Sequence, residues 1–291
     1  MNVSWGVSTF LWTSPFKDED TGLFLKIKEM GYDVVEIGVE AVDHFDADLV
    51  KSAADDNGLK LSVCGAFGPG RDLTHPDPAV VQQSLDYIEG CLDLAASLSC
   101  PHFAGPMYSA VGKARMIPDA QRKQEWEQAV KHLRIVCEKA EARGVNIAIE
   151  PLNRFETDLV NTTADAVRLV KDIDHPAARI ALDGFHLAIE EVDMETAIRS
   201  AGNLLTHFQV SENHRGIPGT GQTDWAGINR GLEAIDYHGM IVIESFTPEI
   251  KELAGAVCFW RHLADSQDQF AEEGLKFLKE TISTNIKETA E

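Results

Sequence analysis

Four apolar runs in the second half of the chain end on side chains that can bind a cation. VNIAIE closes on Glu150, RIALD on Asp183, LLTHFQ on Gln209 and MIVIE on Glu244. Brought together, three carboxylates repel one another unless a positive charge sits among them. A divalent metal with oxygen ligands answers that demand most simply. Any one acidic run end is as readily a solvated terminus, but four in succession make coincidence a poor account.

Such side chains need a frame that gathers strand ends at one point. Short β-branched or apolar runs recur at 3–9, 34–39, 59–64, 102–105, 145–150, 179–183, 205–210 and 240–244, which makes eight strand candidates. Helical periodicity fills the gaps, most clearly after Pro118, where Trp126, Ala129, Val130, Leu133, Val136, Cys137 and Ala140 share one face. Asp77 with Pro78 starts a helix, and Thr162 with Asp165 forms a capping box. Gly31, Gly58 and Gly144 stand between a helix and the next strand, as left-handed C-caps do. Strand, helix and glycine in rotation, without a linker, predict an α/β chain folded as a single (β/α)8 TIM barrel domain over residues 1–291. A dinucleotide-binding sheet also alternates, but the first strand-to-helix turn, Thr9 to Pro15, lacks GxGxxG. The segments 65–78 and 106–118 read as long loops on the C-terminal face, where barrel chemistry takes place.

The composition narrows the function. With 44% hydrophobic and 25% charged residues the chain can build a core and is not of the disordered type. Its net charge of −21, with no basic patch, argues against nucleic acid and anionic membrane as partners. No apolar run approaches a membrane span, and the first residues lack a secretory pattern. Five cysteines, odd in number and without CxxC spacing, suggest neither a disulfide framework nor a zinc knuckle. A cytoplasmic protein acting on a small molecule is the expectation.

The local motifs around the four run ends are dense. Glu150-Pro-Leu-Asn-Arg-Phe-Glu156 is followed by Asp183-Gly-Phe-His186, then Ser211-Glu-Asn-His-Arg215-Gly, then Glu244-Ser-Phe246. In these the chain resembles the ketose 3-epimerases, the D-tagatose and D-allulose group of the xylose-isomerase-like barrels, across essentially its whole length. The resemblance implies metal ligands at Glu150, Asp183, position 209 and Glu244. It also implies substrate contacts at Glu156, His186 and Arg215, and a pocket wall that includes Cys64 and Phe246. For Cys64, plain packing is an equal alternative. Epimerases of this group carry His at position 209, where this chain has Gln209. His207 does not replace it, because two residues along a strand shift a side chain by roughly 6–7 Å. The Gln209 amide oxygen would complete an all-oxygen site favouring Mn2+ or Mg2+.

The activity implied is epimerisation of a ketose sugar at C3. The metal would acidify the C3 proton, and Glu150 and Glu244 would act as the acid/base pair on opposite sides of the sugar. Two alternatives stay open: a relative that cleaves or eliminates keto-glycosides with the same carboxylates, and a sugar-binding module that has lost its metal. A homo-oligomer, dimer or tetramer, is also left open. Some relatives lay a tryptophan over the sugar from the loop after the fourth strand; here Tyr108 or Trp12 would have to serve, and packing suits either better. Residues 107–114 are expected to shape specificity. Gly216, Gly219 and Gly221 with Pro218 read as a turn that sets Arg215, not as a phosphate loop.

Overall fold

The computed structural model describes residues 1–283; residues 284–291, the end of the predicted domain, lie outside the described residues. Eight parallel strands close into a barrel in chain order: β1 (Ser4–Ser8), β2 (Val34–Val39), β3 (Lys60–Gly65), β4 (His102–Gly105), β5 (Asn146–Ile149), β6 (Ala178–Asp183), β7 (Leu205–Val210) and β8 (Met240–Ile243), with β8 pairing back onto β1. Every strand lies where its run predicts, with ends shifted by a residue at most.

Ten helices surround the ring among the described residues. They are α1 (Leu23–Glu29), α2 (Ala47–Asp56), α3 (Pro78–Ser97), α4 (Asp119–Glu141), α5 (Thr163–Ile173), α6 (Gly184–Glu190), α7 (Met194–Ala201), α8 (Trp225–Ala234), α9 (Lys251–Ala256) and α10 (Gln267–Thr281). Their ends follow the local chemistry. Asp77 accepts from the Ala79 N–H with Pro78 at the first position of α3, and Thr162 and Asp165 bond reciprocally at the start of α5. Gly31, Gly58 and Gly144 take φ of +94°, +60° and +68°, which L-residues rarely adopt. None of these helices is long and apolar enough to cross a membrane.

Side chains alternate across each strand. The outward set, including Val35, Ile37, Val63, Phe103, Ile147, Ile180, Phe208 and Ile241, packs against the helices as one buried core. Each such side chain, fully buried, contributes about 1.5–3 kcal/mol. The inward set is sorted by height. Val34, Met240 and Val242 form a small apolar plug. Above it the register sets Glu36 beside Ser62, and His207 is likewise fully buried. At the C-terminal end come small residues, Cys64, Ala104, Ala148 and Ala181, which pack with Phe10, Phe246 and Phe259. Small side chains on β3 to β6 leave the barrel mouth its room.

Candidate active site

Glu150 follows β5, Asp183 ends β6, Gln209 lies near the end of β7 and Glu244 follows β8. All four are buried, and all lie at the C-terminal mouth. The carboxylate oxygens of Glu150 and Asp183 and a His186 ring nitrogen lie within 4.8 Å of one another, as do ligand atoms of Glu36, Cys64 and Glu244. Arg215 Nη1 joins the two sides, donating to Asp183 Oδ2 at 2.6 Å and standing 3.2 Å from Glu244 Oε2.

One guanidinium does not balance so many acids. Burial, with Glu244 and Asp183 nearby, pushes the Glu150 carboxyl well above its ordinary range. Burial likewise pushes Glu244 up to about 8, against the pull of Arg215 and with help from Asp183 and Glu36. Asp183 is raised by burial despite the same arginine, and Glu156 follows the same pattern. The donor set is hard oxygen, crowded and short of positive charge, and Glu150 accepts no hydrogen bond from any described residue. These residues therefore fit a divalent cation, with Glu150, Asp183 and Glu244 able to hold it.

The supporting residues show which groups bind and which only orient. His186 Nδ1 accepts the backbone N–H of Asn153 at 3.1 Å, so the ring proton belongs on Nε2, 3.6 Å from Glu150 and 3.8 Å from Asp183. Burial and Arg215 hold His186 well below its ordinary value, hence neutral. A ring in this tautomer donates a hydrogen bond and offers no lone pair to a cation. Asn153 Nδ2 also donates to Glu156 Oε1 at 2.7 Å, tying Glu156 to the same corner. Phe246 lies against Arg215, whose guanidinium carbon is 5.4 Å from that ring and 4.1 Å from Phe185.

Arg215 is set differently from the sequence expectation. It takes a left-handed φ of +64° itself, and the loop is built on Glu212 rather than on glycines alone. Glu212 is fully buried and accepts the N–H groups of Asn213, Gly219 and Thr223 and the indole N–H of Trp225. Burial would raise this carboxyl, but those bonds hold it down at about 2. Tyr108 and Trp12 have structural partners: the Tyr108 hydroxyl donates to the Val160 carbonyl, and the Trp12 indole donates to Asp268.

Beneath the mouth lies a network the sequence reading missed. Glu36, in the middle of β2, has no exposed surface; its Oε2 lies 2.8 Å from His207 Nε2 and accepts from Ser62 Oγ at 3.0 Å. Gln209 Nε2 donates to Glu36 Oε1 at 2.8 Å and to Glu244 Oε1 at 2.9 Å. Burial would raise Glu36, but His207, Gln209 and Ser62 together lower it. His207 thus faces down to Glu36, one layer below position 209. A lone carboxylate inside the run VVEIGV was the available signal.

A closed parallel barrel with carboxylates gathered at its C-terminal mouth defines a barrel protein with a site able to hold a divalent cation. The family pattern of the xylose isomerase-like TIM barrel matches residues 24–281, and the chain belongs to that family. Within it the chain stands with the ketose 3-epimerases, enzymes of the isomerase class. A probable ketose 3-epimerase of Synechocystis sp. is 32% identical over 97% of this chain and 98% of its own. The crystal structure of a D-allulose 3-epimerase from Methylomonas sp. in complex with D-allulose superposes with a TM-score of 0.90 at 28% identity, covering 96% of this chain and 97% of the other. A 3-dehydro-D-guloside 4-epimerase of Escherichia coli is 30% identical over 76% of this chain and 85% of its own.

Proposed function

We propose that this chain epimerises a free ketose sugar at C3, using Glu150 and Glu244 as its acid/base pair. The observation that carries the reading is the gathering of Glu150, Asp183 and Glu244, all buried, at the barrel mouth, with Arg215 bridging Asp183 and Glu244. Glu150, Asp183, Gln209 and Glu244 would hold a divalent cation, Mn2+ or Mg2+ by the hardness of the donors, and the chemistry it would supply is Lewis acidity toward the ketose carbonyl next to the reacting carbon.

The remaining steps belong to the side chains. Glu150 and Glu244 follow strands three places apart around the ring, so they approach a sugar in the mouth from different sides. One accepts the C3 proton as a carboxylate; the other, entering protonated, delivers a proton to the opposite face, and the reverse reaction exchanges the roles. Raised affinity for protons suits both groups to this traffic. Arg215, the His186 Nε2–H and Glu156 orient the O1 and O2 end. Phe246, with Cys64 beside it, walls the pocket, and Phe10 and Phe259 extend that wall. A cytoplasmic setting is supported by five free cysteines.

Incubation of the metal-replenished protein in D2O with D-fructose, D-allulose, D-tagatose and L-ribulose tests the reading. The expected result is the C3 epimer of at least one sugar, with deuterium at C3 by NMR. Absence of both with every ketose, alongside turnover of a 3-keto-glucoside, would move the assignment to the keto-glycoside reading. Absence of turnover on all of them would leave a binding module.

A further inference from the structure

The network under Gln209 points to a role for Glu36, and it rests on the reading of Gln209 as a ligand of the divalent cation. A carboxamide has two ends of opposite chemistry: the oxygen attracts a cation and the NH2 group repels it. Which end faces the site is therefore decisive at position 209, where a histidine would meet no such choice. Here both N–H bonds are engaged, donating to Glu36 Oε1 at 2.8 Å and to Glu244 Oε1 at 2.9 Å. A flip would lose both bonds and set the amide oxygen against two carboxylates. No described donor reaches the Gln209 Oε1, so that oxygen is the end left for a cation.

Glu244 cannot enforce this arrangement alone, because it is itself one of the proposed ligands and answers to the cation. Glu36 is not among the proposed ligands. Its second oxygen accepts from Ser62 Oγ at 3.0 Å and lies 2.8 Å from His207 Nε2, and all three side chains have no exposed surface. It lies on β2, which supplies none of the proposed ligands. We propose that Glu36 is a positioning residue: by holding the Gln209 NH2 group it fixes the carboxamide oxygen toward the cation and so sets the affinity of the site. His207 and Ser62 hold Glu36 in turn, the arrangement by which outer residues orient metal ligands.

The test reads cation binding rather than turnover. Mn2+ is titrated into the metal-stripped, full-length protein, and the free ion is followed by its EPR signal, for wild type, Glu36→Gln, Gln209→Ala and the double variant. An amide at position 36 has one oxygen where the carboxylate meets the Gln209 and Ser62 donors with two, so Glu36→Gln should weaken Mn2+ binding by about 10- to 100-fold. Gln209→Ala should weaken it similarly, and the double variant should bind no more weakly than Gln209→Ala alone, because Glu36 acts through Gln209. Unchanged affinity in Glu36→Gln, or equal weakening with and without Gln209, overturns the proposal. A wild type that binds no Mn2+ overturns the metal reading of the site instead. If Glu36→Gln fails to fold, Ser62→Ala withdraws one support of Glu36 and carries the same comparison in both backgrounds.

Discussion

Glu150 and Glu244 are expensive residues for the metal-free protein. Buried among acids, both hold protons more tightly than the same groups do in an unfolded chain, Glu244 up to about 8. Between the ordinary carboxyl range and about pH 8 the native state therefore binds more protons than the unfolded one. Their contribution to stability is present at low pH and is lost as pH rises toward 8. The metal-stripped protein should accordingly melt at a lower temperature at pH 9 than at pH 6, and Glu244→Gln, which cannot ionise, should shrink that difference. Thermal melts of both proteins in chelator check this; an equal fall in the two removes Glu244 as its source. In the metal-loaded protein, Glu150→Gln and Glu244→Gln should each lower kcat by about 10² to 10⁴-fold. Turnover within tenfold of wild type in either would remove that residue from the proton pair.

Among the elements, the loop between β7 and α8 matters most, because among the described residues it supplies Arg215, the guanidinium paired with Asp183 and Glu244. Its shape depends on the buried Glu212 carboxylate, which gathers four N–H donors from positions 213 to 225. Glu212→Gln exchanges one acceptor oxygen for a donor that faces other donors. It should cost about 1.5–3 kcal/mol, with a larger loss in kcat/KM than in Mn2+ affinity, since Arg215 is proposed to bind the substrate and not the cation. Denaturant unfolding and steady-state kinetics measure the two effects; full activity with lowered stability would mean the loop does not set Arg215. The loop before α4 is pinned differently. Arg115 bonds both Glu125 and Asp158, and Lys113 bonds Asp72, which ties this loop to the segment carrying Glu156.

At the scale of the whole molecule, the cation is expected to act as a staple across the barrel. Its proposed ligands come from β5, β6, β7 and β8, half the ring, so a ligand that binds only the closed barrel stabilises all of it. At 100 times its Kd, Mn2+ should add about 2.7 kcal/mol and raise the melting temperature by roughly 4–8 °C. Gln209→His should enlarge the rise with Co2+ or Zn2+ more than with Mg2+, because imidazole is the softer donor. Differential scanning calorimetry of both proteins with each metal decides this, and identical metal rankings would place position 209 outside the coordination sphere.

The strands, the helix caps and the polar strand ends were legible in the sequence because they are governed by local physics. Alternation, N-caps at Asp77 and Thr162, and left-handed glycines act within a few residues. The same locality explains why Glu150, Asp183, Gln209 and Glu244 could be singled out as ends of runs. Glu36, His207 and Ser62 could not be placed that way. Strands of a parallel barrel are buried on both faces, so their runs are almost continuously apolar and do not declare which side chains share the interior. Gln209 and Glu36 are 173 residues apart, on strands that are not neighbours, and they meet only across the closed barrel. Sequence determined the ring and the acids at its mouth. Tertiary structure decided which end of an amide those acids hold, because that choice depends on hydrogen-bond partners the chain brings together only by closing.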